Sequence, residues 1–346
     1  MGTSKPVGII GAGSFGTALA NLLACNTDVL MYTRNADQAA AINQEGRHLD
    51  LTLSPRIRAT LSLEEIANTC DLIFPVVPSV NFRDMMQQLG PFLRPYHMLI
   101  HGTKGFDITD PEGGDAPEKP VTRSRVHTMS EVILQESVVV KVGCLSGPNL
   151  ATEIMQGLPT ATVIGSRFKE VIDAGKKVLG SKNFHVFGTF DILGAELAGA
   201  LKNIIALGSG ILKGKGLGKN IEAMLITRGL MEMIHFGKAM GADSSAFFGT
   251  AGIGDLIATA TSEQSRNYTF GLRLGSGENT AQIQETMPEL AEGVRTLRIA
   301  KSLARYYKLK VPITDSLYHI VFENYDINRV LDYLMVYPYD VDVDFL

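Results

Sequence analysis

Val7-Gly-Ile-Ile10, Gly11-Ala-Gly13-Ser14-Phe15-Gly16 and Thr17-Ala-Leu-Ala-Asn-Leu-Leu-Ala24 follow one another without a break near the start of the chain. A short apolar run of strand type leads into G-x-G-x-x-G, and an Ala- and Leu-rich helical run leads out of it. In that setting each glycine has its own duty. Gly11 permits the sharp turn, Gly13 lets backbone N–H groups reach phosphates with no side chain in the way, and Gly16 lets the helix lie close to the strand. The helix N-terminus then faces the anion with its partial positive charge. Strand, turn and helix in this order predict a dinucleotide pyrophosphate site.

Working outward, Asp28–Tyr32 reads as a second strand and Asp71–Val77 as a later one ending at Pro78. Met98–Ile100, Val138–Val142, Thr160–Ile164 and Phe184–Phe187 are further candidates. Helical patterns separate them, as at Val80–Leu89 and Phe168–Leu179. Alternation of this kind predicts a doubly wound sheet with ligands at the carboxyl ends of the strands. From about Asp191 the character changes. Leu193–Leu207 is a long helical run crowded with small residues. Beyond it apolar residues keep helical spacing, with Val294, Leu297, Lys301, Ala304 and Tyr307 on one stripe where Lys301 contributes its stem. The expected fold class is α/β: a Rossmann-like doubly wound sheet over 1–190, then an all-α substrate domain over 191–346. The Pro- and Gly-dense stretch from Asp107 to Arg125 is expected to be a long surface loop without a regular element.

A chain of 346 residues with 45% apolar content can fill two cores. Acidic residues outnumber basic ones by 36 to 32, and no long basic block occurs, which argues against a nucleic-acid groove. Cys25, Cys70 and Cys144 are odd in number, far apart and embedded in apolar stretches. They are expected to be buried free thiols in a reducing cytoplasm, not disulfides or a zinc cluster, and no metal site is suggested. The first strand begins too early for a cleavable leader, and no apolar stretch is expected to approach the roughly 20 residues that span a bilayer. The expectation is a soluble cytoplasmic protein, not an integral membrane one.

Several polar residues stand where apolar ones would pack better. The second strand closes with Tyr32-Thr-Arg34-Asn35, with no carboxylate for the ribose hydroxyls that NAD selection usually uses. Arg34 has a planar fork suited to a 2′-phosphate or to stacking on adenine, so NADP is as compatible as NAD. Lys104, in His101-Gly-Thr-Lys104-Gly, follows a strand at the ligand edge of the sheet. Lys202, next to Asn203, interrupts the apolar face of a helix that should be buried, and a buried lysine without a partner costs several kcal/mol or loses its proton. In Gly252-Ile-Gly-Asp255-Leu, Asp255 can orient or balance a lysine, with Thr259 one turn on. Ser265 is placed to cap a helix beginning at Arg266. Such a cap, with free N–H groups, the Arg266 fork and the Asn267 amide, suits a phosphate.

In order along the chain, GAGSFGTALA, TKG at Lys104, SGPN followed by Ala151, ELAGALKN, GIGDL, SRN and Glu292-Gly293 make the sequence resemble the bacterial type of NAD(P)-dependent glycerol-3-phosphate dehydrogenase. These motifs run from about residue 7 to 295. The resemblance implies Lys202 as proton donor and acceptor. It implies Lys104, Gly147, Asn149, Asn203, Asp255, Thr259, Ser265, Arg266 and Asn267 as contacts of glycerol 3-phosphate. Around NAD or NADP it implies Gly11, Gly13, Ser14, Phe15, Gly16, Arg34, Lys104, Ala151, Arg266, Leu290 and Glu292. Many bacterial members read GPS or GPT followed by Phe where this chain has Gly147-Pro-Asn149-Leu. The resemblance also implies a homodimer built through the helical domain.

The implied reaction moves a hydride between NAD(P)H and dihydroxyacetone phosphate, giving sn-glycerol 3-phosphate for glycerophospholipid synthesis. Lys202 would protonate the developing alkoxide. A nearby Lys104 or Arg266 would weaken its hold on that proton, and Asp255 would strengthen it. A related dehydrogenase of β-hydroxy acids or 6-phosphogluconate would share the glycine fingerprint and a helix-borne lysine, but has no need of GDL and SRN together. A non-catalytic cofactor sensor would keep the glycines without burying Lys202 beside Asn203.

Overall fold

Four-residue apolar runs supply most of the central sheet of this computed structural model, which describes residues 5–109, 121–287 and 291–338. Its eight strands are β1 (Val7–Ile10), β2 (Val29–Tyr32), β3 (Ile57–Thr60), β4 (Leu72–Pro75), β5 (Met98–His101), β6 (Lys141–Ser146), β7 (Thr160–Ser166) and β8 (Phe184–Thr189). They lie in the order β8-β7-β6-β5-β4-β1-β2-β3. All pairs are parallel except β6 with β7, so the doubly wound sheet carries one antiparallel step. Gly8 of β1 lies opposite Leu30 on one side and Ile73 on the other. The chain leaves β1 in one direction and returns beside it as β4, which puts the switch point at their carboxyl ends. Strands covered on both faces read as continuous apolar runs, and Ile9, Met31 and Phe74 are fully buried.

Two elements depart from expectation. Of the Val138–Val142 run only Lys141 and Val142 join the ladder, where pairing of Lys141 with Met98 sets the register. Val138 and Val140 are left more than half exposed. β3 has no clear sequence signal: Ile-Arg-Ala-Thr is short and mixed in polarity, and it stands at the edge of the sheet beside β2. The expected loop from Asp107 to Arg125 begins instead in a two-residue strand, Asp107–Ile108, paired with Val126–His127 in a small separate ribbon. Residues 110–120 of that segment lie outside the described ones.

The chain clusters into two units, Met1–Asp107 with Thr128–Ile192, and Ile108–His127 with Leu193–Leu346. In the first, α1 (Ser14–Ala24) packs Leu19 and Leu23 under the sheet, and Cys70 and Cys144 are buried as expected. Cys25 is exposed, contrary to expectation, because it sits past the end of α1, where the apolar stripe has already turned away.

The second unit is helical. It holds α2 (Ile192–Gly214), α3 (Lys219–Met240), α4 (Asp255–Ala260), α5 (Arg266–Gly275), α6 (Glu292–Tyr307) and α7 (Pro312–Glu323). At 23 residues α2 is long and apolar enough to cross a membrane by length and composition, contrary to expectation, yet 89% of its most apolar stretch is buried inside the protein. Its small residues have a packing reason. A Cβ added at Gly210 would lie 2.0 Å from the Tyr268 carbonyl oxygen, and one at Gly271 2.0 Å from that of Leu207. α2 and α5 therefore touch backbone to backbone, which carries Asn203 up against the start of α5.

Candidate active site

At the switch point of the first unit, two of the three fingerprint glycines are demanded by the protein. Gly11 has φ +121°, and a Cβ there would meet the Val76 carbonyl oxygen at 2.8 Å. A Cβ at Gly16 would lie 2.0 Å from the Gly11 carbonyl oxygen. Gly13 is different: its φ is an ordinary −79°, and a Cβ there would meet nothing within 4 Å. Nothing in the fold requires glycine at that position, so the space beside it suits a ligand that approaches the backbone closely.

A cavity of about 730 Å³ opens from this turn, lined by Gly11, Gly13, Arg34, Asn35, Val77 and Asn81 among others. β2 ends without a carboxylate. Thr33 Oγ1 donates to Gln38 Oε1 at 2.7 Å, and the Asn35 side chain accepts from the N–H groups of Asp37 and Gln38 to cap the helix Ala36–Ala40. Arg34 is exposed at the cavity wall. Ser14 and Phe15 form the first turn of α1, and Ala151 opens the helix Ala151–Met155. Lys104, just past β5, donates from Nζ to the Gly147 carbonyl at 2.8 Å. Gly147 holds φ +120°, a conformation that glycine adopts without strain. Asn149 Nδ2 donates to Thr162 Oγ1 at 2.9 Å, while its Oδ1 is buried without a partner among the described residues.

In the second unit the sequence gathers its polar residues tightly. Lys202 is 4% exposed and Asp255 1%. Lys202 Nζ donates to Asp255 Oδ1 and, at 2.5 Å, to Thr259 Oγ1, and the Thr259 hydroxyl reaches the same carboxylate oxygen at 3.3 Å. An ammonium so deeply buried is tolerable because the carboxylate cancels its charge; removing one member of such a pair costs about 3–5 kcal/mol. Asp255 and Thr259 are one turn apart on α4, which is why both reach one amine.

Beside this cluster, Asn267 Nδ2 donates to Asn203 Oδ1 at 2.9 Å, and Asn267 Oδ1 accepts from Gly293 N at 2.8 Å. The two amides tie α2, α5 and α6 together. Ser265 caps α5, its side chain accepting from Tyr268 N, as the sequence predicts. Arg266 follows as the exposed first residue of that helix, and Glu292 is the half-buried first residue of α6. Leu290 lies outside the described residues.

His48 and Glu232 are among the buried polar residues that escaped the sequence reading. His48 lies in a two-residue hairpin, Arg47–His48 with Leu51–Thr52, and its Nε2 meets the Ala12 carbonyl at 2.7 Å. Glu232, on α3, receives hydrogen bonds from Ile313 N at 2.6 Å, Thr314 N at 3.0 Å and Thr314 Oγ1 at 2.7 Å. Burial pushes its carboxyl up to about 7, against the pull of those bonds. Neither has a local motif, because each partner is distant in the chain.

Comparison with known proteins matches both parts of the chain to one family. The family described as NAD-dependent glycerol-3-phosphate dehydrogenase N-terminus matches residues 6–172, and its C-terminus counterpart matches residues 191–332. Glycerol-3-phosphate dehydrogenase [NAD(P)+] of Saccharophagus degradans is 36% identical over 349 aligned positions, covering 99% of this chain and 93% of the relative. The crystal structure of glycerol-3-phosphate dehydrogenase from Coxiella burnetii superposes with a TM-score of 0.86 at 30% identity, covering 96% of this chain and 99% of that one. At 23% identity and a TM-score of 0.81, the Saccharomyces cerevisiae enzyme, with 95% of this chain and 98% of its own covered, shares the fold.

Proposed function

We infer, from a chain that belongs to the NAD-dependent glycerol-3-phosphate dehydrogenase family and from the polar cluster it buries, that Lys202 carries the proton in this enzyme's reaction. The protein is an NAD(P)-dependent oxidoreductase acting on a CH–OH group. It interconverts dihydroxyacetone phosphate and sn-glycerol 3-phosphate, the backbone of glycerophospholipids. The observation that carries the assignment of Lys202 is its burial on Asp255 and Thr259, an arrangement with no packing advantage over an apolar side chain.

The residues of the first unit fit a dinucleotide: Gly13 leaves an open cradle, the α1 N-terminus supplies N–H groups and positive potential, and Ser14, Phe15, Arg34 and Ala151 are its further contacts. When bound, the nicotinamide gives or takes the hydride at C4. As the carbonyl carbon of the triose is reduced, its oxygen gains negative charge, and Lys202 donates a proton to it; in the other direction the neutral amine accepts the hydroxyl proton. Asp255 and Thr259 fix the direction of the amine, so little reorganisation is needed at the moment of transfer. Arg266, at the capped start of α5, holds the phosphate with Ser265 and Asn267, and Asn203 steadies Asn267. Lys104, Gly147 and Asn149 complete the proposed substrate contacts, and Glu292 and Leu290 those of the cofactor.

Most of the cofactor contacts are thus assigned to the first 190 residues, and the proton carrier and the phosphate contacts to 191–346, in a cytoplasmic homodimer. The test is oxidation of NADH and NADPH by dihydroxyacetone phosphate, followed by the absorbance of the reduced cofactor. The wild type is expected to turn over. Lys202→Ala is expected to lose at least about a hundredfold in kcat while binding reduced cofactor as before. Turnover retained in Lys202→Ala at an unchanged pH optimum would remove the assignment.

A further inference from the structure

We propose that His48 is a positioning residue for the dinucleotide, acting through the peptide unit that joins Ala12 to Gly13. The proposal rests on the cofactor reading given above. Ala12 O can only accept, so the 2.7 Å contact requires His48 Nε2 to carry its proton and donate. A peptide unit is planar and trans, so the carbonyl of Ala12 and the N–H of Gly13 sit on opposite edges of one rigid plate. Fixing the oxygen from one side fixes the direction of the Gly13 N–H on the other. A hydrogen bond to the carbonyl also polarises the plate and makes its N–H a better donor.

The side that faces away from His48 is the one that matters. Gly13 is the fingerprint glycine whose missing Cβ is not explained by any protein atom within 4 Å, and its carbonyl already accepts from the N–H and the hydroxyl of Thr17. Thr17 thus holds the next peptide in line from the helix side, and His48 holds the previous one from the hairpin side. Between them they determine the orientation of two successive peptides in the anion-binding turn.

The hairpin that delivers His48 is built at a cost. Its two turn residues, Leu49 and Asp50, both adopt the left-handed conformation, at φ 49° and 59°, and a leucine is poorly suited to it. Leu49 is itself about half exposed, so no apolar burial compensates at that position. The strained turn folds Leu51 back opposite His48, which is only 7% exposed, and Leu53 closes the hairpin through its N–H to Gly46 O at 2.8 Å. Strain of this kind persists where surrounding structure enforces it and often accompanies a site.

The experiment compares wild type, His48→Phe, which keeps a flat ring and loses the donor, and His48→Gln, which keeps an N–H donor of similar reach. Affinity for NADH and NADPH is read from the fluorescence of the reduced cofactor, KM and kcat from dihydroxyacetone phosphate reduction, and folding from thermal melts. His48→Phe is expected to raise Kd and the KM for cofactor about fivefold to tenfold, the worth of one neutral hydrogen bond. Its kcat at saturating cofactor should stay within about twofold, and His48→Gln should recover most of the loss. Cofactor affinity unchanged in His48→Phe would overturn the proposal, and so would equal losses in the Phe and Gln variants with matching falls in melting temperature. A wild type that binds neither cofactor would overturn the dinucleotide reading itself, a result separate from either of these.

Discussion

At the scale of single residues, two cations of the helical unit stand in opposite settings. Lys202 is silenced electrically by Asp255, whereas Arg266 stands exposed at the head of a capped helix. Arg266→Ala is therefore expected to raise KM for dihydroxyacetone phosphate by about tenfold to a hundredfold, the worth of a charge-assisted hydrogen bond. It should change reduction of an unphosphorylated hydroxyketone far less. Equal losses on both substrates, measured as kcat/KM, would assign Arg266 to structure instead. These two residues were legible in the sequence because each breaks a local pattern: Lys202 an apolar helical face, Arg266 the residue after a cap. His48 and Glu232 break none. Their meaning lies in partners 36 and 81 or 82 positions away, a distance no local pattern reaches.

At the scale of elements, what the sequence could not convey was register and edge. The β-branched run at Val138–Val142 predicts a strand, but only its last two residues join the ladder, which depends on where Met98 lies on the neighbouring strand. Helix α5, by contrast, was readable to its first residue, since Ser265 announces the cap and the apolar period follows. One element boundary is stabilised from elsewhere: α7 begins at Pro312, Val311 supplies no side-chain cap, and Glu232 of α3 takes that place. Because burial raises the Glu232 carboxyl to about 7, the folded state holds this proton more tightly than the unfolded chain does. Its contribution is complete below the ordinary carboxylate range and is lost as pH rises to about 7, a change on the order of 3 kcal/mol. Urea unfolding of wild type and Glu232→Gln across pH 4.5–8 checks this. The variant, which cannot titrate, should lose most ground to wild type at acid pH, with the gap narrowing toward pH 8.

At the scale of the whole molecule, a ligand that binds the folded first unit and not the unfolded chain must stabilise it by mass action. Reduced cofactor at about a hundred times its Kd is worth about 2.7 kcal/mol, which should raise the melting temperature by several degrees. A melt unmoved by saturating NADH and NADPH alike would contradict the cofactor assignment. The division of the chain has a further consequence. Because the described residues 108–109 and 121–127 cluster with the helices that begin at Leu193, the second unit is not a continuous stretch of polypeptide. On the ribosome those residues emerge long before the helices they join, and the remaining strands of the sheet are made in between. A truncated gene starting at codon 193 would thus encode a fragment missing one of its own pieces, and separate expression of the two halves needs a circular permutation or a grafted segment in place of a simple cut.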